Sequence, residues 1–369
     1  MAEHIVVVGA GYTGLAAAKL AAKWTDCRVT LVNARDRFVE RVRLHQLAVG
    51  QRLRGDVPLA ELLAGTGVDL VVDRVTDIDL DTRKIQLTGG ALAYDRLIYA
   101  LGSHANLDGV PGAAEHAHAV STREDAEKLA VALKTARTVA VLGGGLTGIE
   151  AASELAESRP DLDVLLVTAG GFGDALSDKG RRHLHHAFRR LGVRVRDHAD
   201  VTEVRADGLV LGTGEVVAAD AVVWTAGFAV PDLAARSGLA VDGHGRVLVD
   251  QTLTSISHPE VLAVGDAAAI KRHDGLELRM ACATGLPTTQ QAVRALAKRL
   301  DGGRPDDHLR FRYRIQCISL GRRDGLIQFV NDDDSPKERV LTGRAAARVK
   351  ELVVRTAFLS QRHPTMPAG

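Results

Sequence analysis

The run Ile5-Val6-Val7-Val8-Gly9-Ala10-Gly11-Tyr12-Thr13-Gly14-Leu15 decides the fold. Four β-branched residues predict a short buried strand, and the Leu15-Ala16-Ala17-Ala18-Lys19 stretch that follows is a strong helix former. The three glycines between them have separate duties. The first makes the tight turn, the second lets the backbone reach a pyrophosphate, and the third lets the helix pack on the strand. The phosphates would then sit at the positive helix N-terminus. A second apolar strand, Arg28 to Val32, completes the unit. The same grammar returns far downstream. Thr138 to Leu142 precedes Gly143-Gly144-Gly145-Leu146-Thr147-Gly148, a helical stretch from Ile149 to Glu157, and the strand Asp163 to Val167. Two dinucleotide sites in one chain are the economical reading.

The repeat runs on beyond these units. After the first come short β-rich runs at Val68 to Val72, Val75 to Leu80 and Ile85 to Leu87, ending in Asp95 to Gly102. After the second come Val193 to Val195, Val201 to Val204 and Leu209 to Leu211, ending in Asp220 to Gly227. The fold class expected is therefore α/β with two Rossmann-like domains. Leu239 to Leu253 reads as a hairpin around Asp242 to Gly245, and a helix is expected from about Thr288 to Leu300. The tail should be a small α+β segment with strands at Phe311 to Ser319 and Leu326 to Val330, then an amphipathic helix near Ala345 to Leu359.

Composition narrows the function classes. The chain has 369 residues, 46% of them hydrophobic, with 47 Lys plus Arg against 46 Asp plus Glu. A net charge of +1 argues against a nucleic-acid binder driven by bulk charge. No apolar run reaches the ~20 residues of a membrane-spanning helix. The start, Met1-Ala2-Glu3-His4, has no basic n-region, so a cytoplasmic, reducing location is expected. Cys27, Cys282 and Cys317 form no paired motif and read as small buried residues. His183, His185 and His186 sit at helical spacings that put only two on one face, and Asp332 to Asp334 lacks the pattern of a calcium loop. No metal site is expected. The ribose position about twenty residues after each fingerprint falls on Asn33 and on Thr168, neither of them the usual carboxylate.

These residues resemble the pyridine nucleotide-disulfide oxidoreductase superfamily. Five ordered motifs carry the resemblance: both glycine fingerprints, Ala100-Leu101-Gly102, Thr225-Ala226-Gly227 and Val264-Gly265-Asp266, which together span roughly Ile5 to Leu300. The resemblance implies a glutathione-reductase-like architecture in which an FAD domain (1–115 and 235–300) is interrupted by an NAD(P)H domain (116–234), with 301–369 as the C-terminal segment. It implies FAD held by Gly9, Gly11, Tyr12, Thr13, Gly14, Asn33, Ala34, Arg35, Arg43, Val75, Ala100, Leu101, Gly102, Gly265 and Asp266. It implies NADH or NADPH held by Gly143, Gly145, Leu146, Thr147, Gly148, Thr168, Ala226 and Gly227, giving a hydride to the flavin.

Within the superfamily the chain is similar to type II NADH dehydrogenases and apoptosis-inducing-factor-like flavoproteins. Arg41 to Gly50 stands where the disulfide reductases carry paired cysteines, so electrons would pass directly from flavin to an acceptor, a quinone being one candidate. Glu150 would act on the nicotinamide side. His45 would act on the opposite, acceptor side with Pro287. Pro287 and Thr288 would also contact the cofactor, a helix N-terminus near Thr288 stabilising negative charge on the pyrimidine side of the reduced flavin. Pro287 and Gln291 stand at the positions of the family's two quinone-site glutamines, and only Gln291 matches. A ferredoxin-type reductase, a specialised-metabolite oxidoreductase and a redox-sensing FAD/NAD-binding protein share the same motifs and stay open. So do a monomer or a homodimer, and a peripheral membrane contact through Val349 to Leu359, with packing on the FAD domain the favoured role of that helix.

Overall fold

Positions 5–8 are all fully buried, with no alternation of inside and outside, as expected for a central parallel strand covered on both faces. The computed structural model describes residues 2–53, 55–306 and 308–366. In it His4–Val8 pairs in parallel with Arg28–Asn33 on one side and Arg96–Tyr99 on the other. Val68–Val72 adds one edge of this five-stranded sheet and Val261–Ala263 the other. The second sheet has the same arrangement, in spatial order Ala117–Ala119, Ala221–Trp224, Thr138–Leu142, Asp163–Val167, Arg194–Arg196. Each domain also carries a three-stranded antiparallel meander, one running from Val75–Asp79 to Gly90–Ala93 and the other from Val201–Arg205 to Val216–Ala218.

One difference between the sheets organises the molecule. The edge strand of the second sheet precedes its domain in the chain, whereas that of the first arrives only after the second domain is complete. The second domain is thus an insertion in the first. Its two connections meet as a short antiparallel ribbon, His104–Ala105 with Phe228–Ala229.

The long helix begins at Cys282, not near Thr288, and Pro287 lies inside it. The hydroxyls of Thr284, Thr288 and Thr289 donate back to carbonyls of the preceding turn, so side chains hold the stretch on both sides of the missing proline N–H. Around Asp242 to Gly245 the turn forms, but Val247–Leu248 pairs in parallel with Ala268–Ala269 rather than in an extended hairpin. The tail gains a third strand, Pro336–Thr342, which its Lys337 and Glu338 hid from a hydrophobicity pattern. Among the thiols, Cys282 is exposed, while Cys27 and Cys317 are half-buried and all three are free.

The terminal helix, Gly343–Arg362, packs on the tail sheet and reaches the first fingerprint helix, Tyr12–Trp24. Lys19 makes that junction. Its buried Nζ donates to the carbonyls of Leu62, Gln361 and Arg362 at 2.9, 2.7 and 3.0 Å, so a cation sits on the unsatisfied C-terminal carbonyls of the terminal helix. Burial lowers the Lys19 pKa, with the Arg362 charge adding to the effect. Lys19→Met should therefore release the last turn of the terminal helix. Amide hydrogen exchange should speed up across 357–362 while the central strands keep their protection, and unchanged exchange there would refute the latch.

Candidate active site

The glycines of each fingerprint divide by what the protein itself requires. Gly9 and Gly143 have φ of +98° and +123°, which L side chains rarely adopt. A Cβ on Gly14 would lie 1.8 Å from the Gly9 carbonyl oxygen, and one on Gly148 would lie 1.9 Å from that of Gly143. Gly11 and Gly145 are different. Their backbones are extended, with φ of −72° in both, and a Cβ on either would meet nothing within 4 Å. Nothing inside the protein demands glycine there. The open space in front of two helix N-termini is the cradle a pyrophosphate fills, so the residues present fit a dinucleotide at each site.

Tertiary packing gathers the other expected FAD residues around the first cradle. A Cβ on Gly9 would lie 2.4 Å from the Ala100 oxygen, so the end of Arg96–Tyr99 presses on the turn. Thr13 is wedged between two later glycines, since a Cβ on Gly265 or Gly285 would come within 2.6 or 2.8 Å of its side chain. Asn33 uses its amide on the protein: Oδ1 accepts from the Ala10 N–H at 2.9 Å and Nδ2 donates to the Arg35 carbonyl at 2.8 Å. It thereby ties the phosphate turn to the end of the second strand. Beyond it, Ala34 and Arg35 line a cavity of about 790 Å³, across which Arg35 pairs with Glu124 of the inserted domain at 2.6 Å. Asp266 accepts from Ser103 Oγ at 2.6 Å, and Arg41 lies 3.7 Å from the same carboxylate oxygen while donating to the Ser103 carbonyl. Arg41 opens the Arg41 to Gly50 stretch and Ser103 directly follows the Ala100-Leu101-Gly102 motif, yet their pairing with Asp266 crosses more than 160 residues.

Val75 begins the first meander. In the inserted domain Leu146 and Thr147 open the fingerprint helix, and a Cβ on Gly143 would come within 3.0 Å of the Ala226 nitrogen, which repeats the contact of Gly9 with Ala100. Gly102 and Gly227, both at positive φ, follow the two strand ends. Thr168 is buried against Gly144.

Glu150 and His45 do not stand apart as expected. Both are buried and each feels the other's charge, so they belong to one cluster. Lys350 of the terminal helix meets Glu150 Oε1 at 2.8 Å, and the Ser319 N–H donates to the same oxygen at 2.9 Å. Burial opposes the Glu150 charge, but Lys350, His45 and the Ser319 donor overcome it and hold the carboxyl below the usual range. Lys350 is raised in turn, the Glu150 carboxylate outweighing the cost of burial. Burial above all, with Arg322, Lys350 and Arg43 adding to it, drives His45 down to about 4, and its Nε2 has no hydrogen-bond partner among the described residues. Lys350 lies in the tail helix, where nothing in the sequence marks it out. The only signal is indirect, that an acid buried in a fingerprint helix needs a cation.

Other expected residues prove to be tied up structurally. Arg43 pairs with Glu351 at 2.8 Å and with Glu40 at 3.5 Å. Gln291 exchanges hydrogen bonds with the Arg310 backbone, and Gln290 donates to the carbonyls of Pro364 and Met366. Thr288 is fully buried in mid-helix, so the helix N-terminus assigned to it belongs to Cys282. His183 bonds Asp324 at 3.0 Å, and no group of three metal-ligating side chains occurs among the described residues.

Residues 3–295 match the pyridine nucleotide-disulphide oxidoreductase family, and the chain belongs to it. It is an NAD(P)H-dependent flavoprotein oxidoreductase with FAD as its cofactor. An NADH dehydrogenase-like protein of Mycobacterium tuberculosis is 34% identical over 315 residues, covering 78% of each chain. The demethylphylloquinone reductase NdbB of Synechocystis is 29% identical, over 79% of this chain and 76% of its own. Among solved structures, NDH2 of Plasmodium falciparum in complex with NADH superposes with a TM-score of 0.79 at 15% identity, covering 100% of this chain and 99% of that one. This last likeness is one of fold.

Two predictions follow from the geometry. Gly11→Ala should change stability by less than about 0.5 kcal/mol yet lower the FAD content of purified protein, whereas Gly14→Ala should cost roughly 3 kcal/mol through its backbone clash. Thermal melts and flavin absorbance separate the two, and normal flavin loading of Gly11→Ala would contradict the cradle. Lys350→Met leaves the Glu150 charge buried and unpaired, which should destabilise the fold by about 3 kcal/mol. The double variant Glu150→Gln/Lys350→Met should recover most of that loss in denaturant titration, and additive losses would show that the pair is not coupled.

Proposed function

We propose that the chain passes the two electrons and the proton of a hydride from NADH or NADPH to a quinone-type acceptor, with one further proton from solvent completing the hydroquinone. The observation that carries this reading is the buried Glu150–Lys350 pair with its open side on a cavity, which Lys350 and Ser319 help to line. The chemistry that FAD supplies when bound is two-electron transfer between donor and acceptor, with Gly11, Thr13, Gly265 and Asp266 among the residues that would hold it. All three cysteines are free, and the proposed transfer uses no thiol. Lys350 is held charged by Glu150, and the N–H left after its contacts with Glu150 and the Cys317 carbonyl suits an acceptor oxygen on which negative charge develops. His45, neutral above about pH 4, offers an unpaired ring nitrogen beside the pair for proton exchange. The names of the relatives support the acceptor class, since one is a demethylphylloquinone reductase and another a type II NADH:quinone oxidoreductase.

At the donor site Thr168 carries no charge, and Arg196, at the end of the neighbouring strand, is paired with Glu215. Without a free guanidinium to clamp a 2′-phosphate, NADH is the better donor. The test is a steady-state screen of NADH and NADPH against menadione, ubiquinone-1, ferricyanide and ferredoxin. NADH with a quinone should be the fastest pair, with NADPH slower by roughly tenfold, the equivalent of 1.4 kcal/mol. Rapid-mixing kinetics should show Glu150→Gln slowing reoxidation by menadione more than reduction by NADH. Turnover with ferredoxin while every quinone stays oxidised would overturn the reading.

A further inference from the structure

The cavity beside the Glu150–Lys350 pair has an unbalanced charge. About 670 Å³ in volume, it is lined by the cations Arg322, Arg323, Arg344, Arg348, Lys350 and Arg355, with Glu351 as the only acid. Three of the six are neutralised: Lys350 by Glu150 at 2.8 Å, Arg322 by Glu154 at 3.0 Å and Arg355 by Glu351 at 2.8 Å. The side chains of Arg323, Arg344 and Arg348 have neither an ion-pair nor a hydrogen-bond partner among the described residues. Arg344 and Arg348 stand one turn apart on the terminal helix. Arg323 comes from the turn between Ile315–Ser319 and Gly325–Val330, on the other side of the cavity. Leu352 continues the helical face at 64% exposure and gives the cavity an apolar wall.

Three guanidinium groups around one concavity repel each other, and a concave low-dielectric wall strengthens the field they create. The planar guanidinium fork matches the oxygens of a carboxylate, sulfonate or phosphate. The volume is that of a small-molecule site. We propose that this cavity is a specificity site that takes the oxyanion of an amphiphilic acceptor, with Arg323, Arg344 and Arg348 binding the anionic group and Leu352 its apolar body. The proposal rests on the acceptor reading above and adds to it that acceptors bearing an oxyanion are preferred to neutral ones. The concavity favours a small molecule over a lipid surface, because a flat bilayer would meet Leu352, Val353 and Leu359 and leave the inner wall at Ser319 and Lys350 untouched.

The test uses the flavin-loaded protein and two charge-reversed variants, Arg344→Glu/Arg348→Glu and the independent Arg323→Glu, all at exposed positions. Isothermal titration with naphthalene-2-sulfonate, which is not reduced, should show binding to the wild type. That binding should weaken at least tenfold in both variants and on raising salt from 50 to 500 mM. In turnover with NADH, the KM for 1,2-naphthoquinone-4-sulfonate should rise at least tenfold in the variants, while its kcat and the KM for menadione stay unchanged. If no quinone is reduced, the acceptor reading falls, and the titration alone still decides whether the oxyanion site exists. Equal sulfonate affinity in wild type and variants overturns the site. Sulfonate binding without any effect on KM overturns its role in acceptor choice. In co-sedimentation, loss of binding to phosphatidylglycerol vesicles with sulfonate affinity unchanged would make this face a lipid contact instead.

Discussion

Everything at the active site depends on the parallel pairing of Val261–Ala263 with Arg96–Tyr99. The chain leaves the first sheet after Tyr99, builds a whole second domain, and returns to close the sheet it left. Because the returning strand lies beside Arg96–Tyr99, its C-terminal end delivers Gly265 and Asp266 to the same edge as Gly9 and Ala100. Crevices at the carboxyl ends of parallel strands are where α/β sheets bind ligands, so the closing strand supplies binding residues as well as pairing. The departing and returning chains must also pass each other, and the ribbon of His104–Ala105 with Phe228–Ala229 is where they do so.

The tail acts on this frame as a clasp. Its sheet and terminal helix pack against helices of both domains, and polar contacts bind it at separated points, three of them being decisive for its position. Lys19 holds the end of the terminal helix, Lys350 holds Glu150 of the inserted domain, and Gln290 holds the chain at Pro364 and Met366. Each contact is buried or nearly so, where an unmade hydrogen bond costs about 1–3 kcal/mol, so the tail is held in one position. The same helix that clasps the domains presents its arginines to the cavity. Structural and recognition roles therefore share one element, and Lys350 takes part in both.

The charges of the site follow from that clasp. An acid in the middle of a fingerprint helix is costly to bury alone, and Lys350 removes most of the cost. With Glu150 charged and Lys350 charged, the neighbouring histidine is kept neutral by burial and by the surrounding cations. A fixed ion pair beside a neutral imidazole combines a stable electrostatic field with a group able to exchange a proton.

Local chemistry was legible in the residues themselves. Strand, glycine turn and helix are short-range events governed by β-branching, by φ at Gly9 and Gly143, and by helix propensity, so both Rossmann-like units and their cofactor class could be read directly. The similarity of the two strand endings, Ala100 with Gly102 and Ala226 with Gly227, was equally a matter of nearby residues. Where the signal was a boundary the reading slipped, as at Pro287, because three threonine hydroxyls stabilise a turn that a proline alone would discourage. What the sequence could not show is any pairing between distant side chains. Nothing near Glu150 points to Lys350, and nothing near Asp266 points to Ser103. Nothing near His45 shows that it shares a cluster with Glu150, because its position is set by packing against the Glu150 helix rather than by its own neighbours in the chain. Ion pairing and burial depend on distances across the folded molecule, and only the tertiary structure sets those distances.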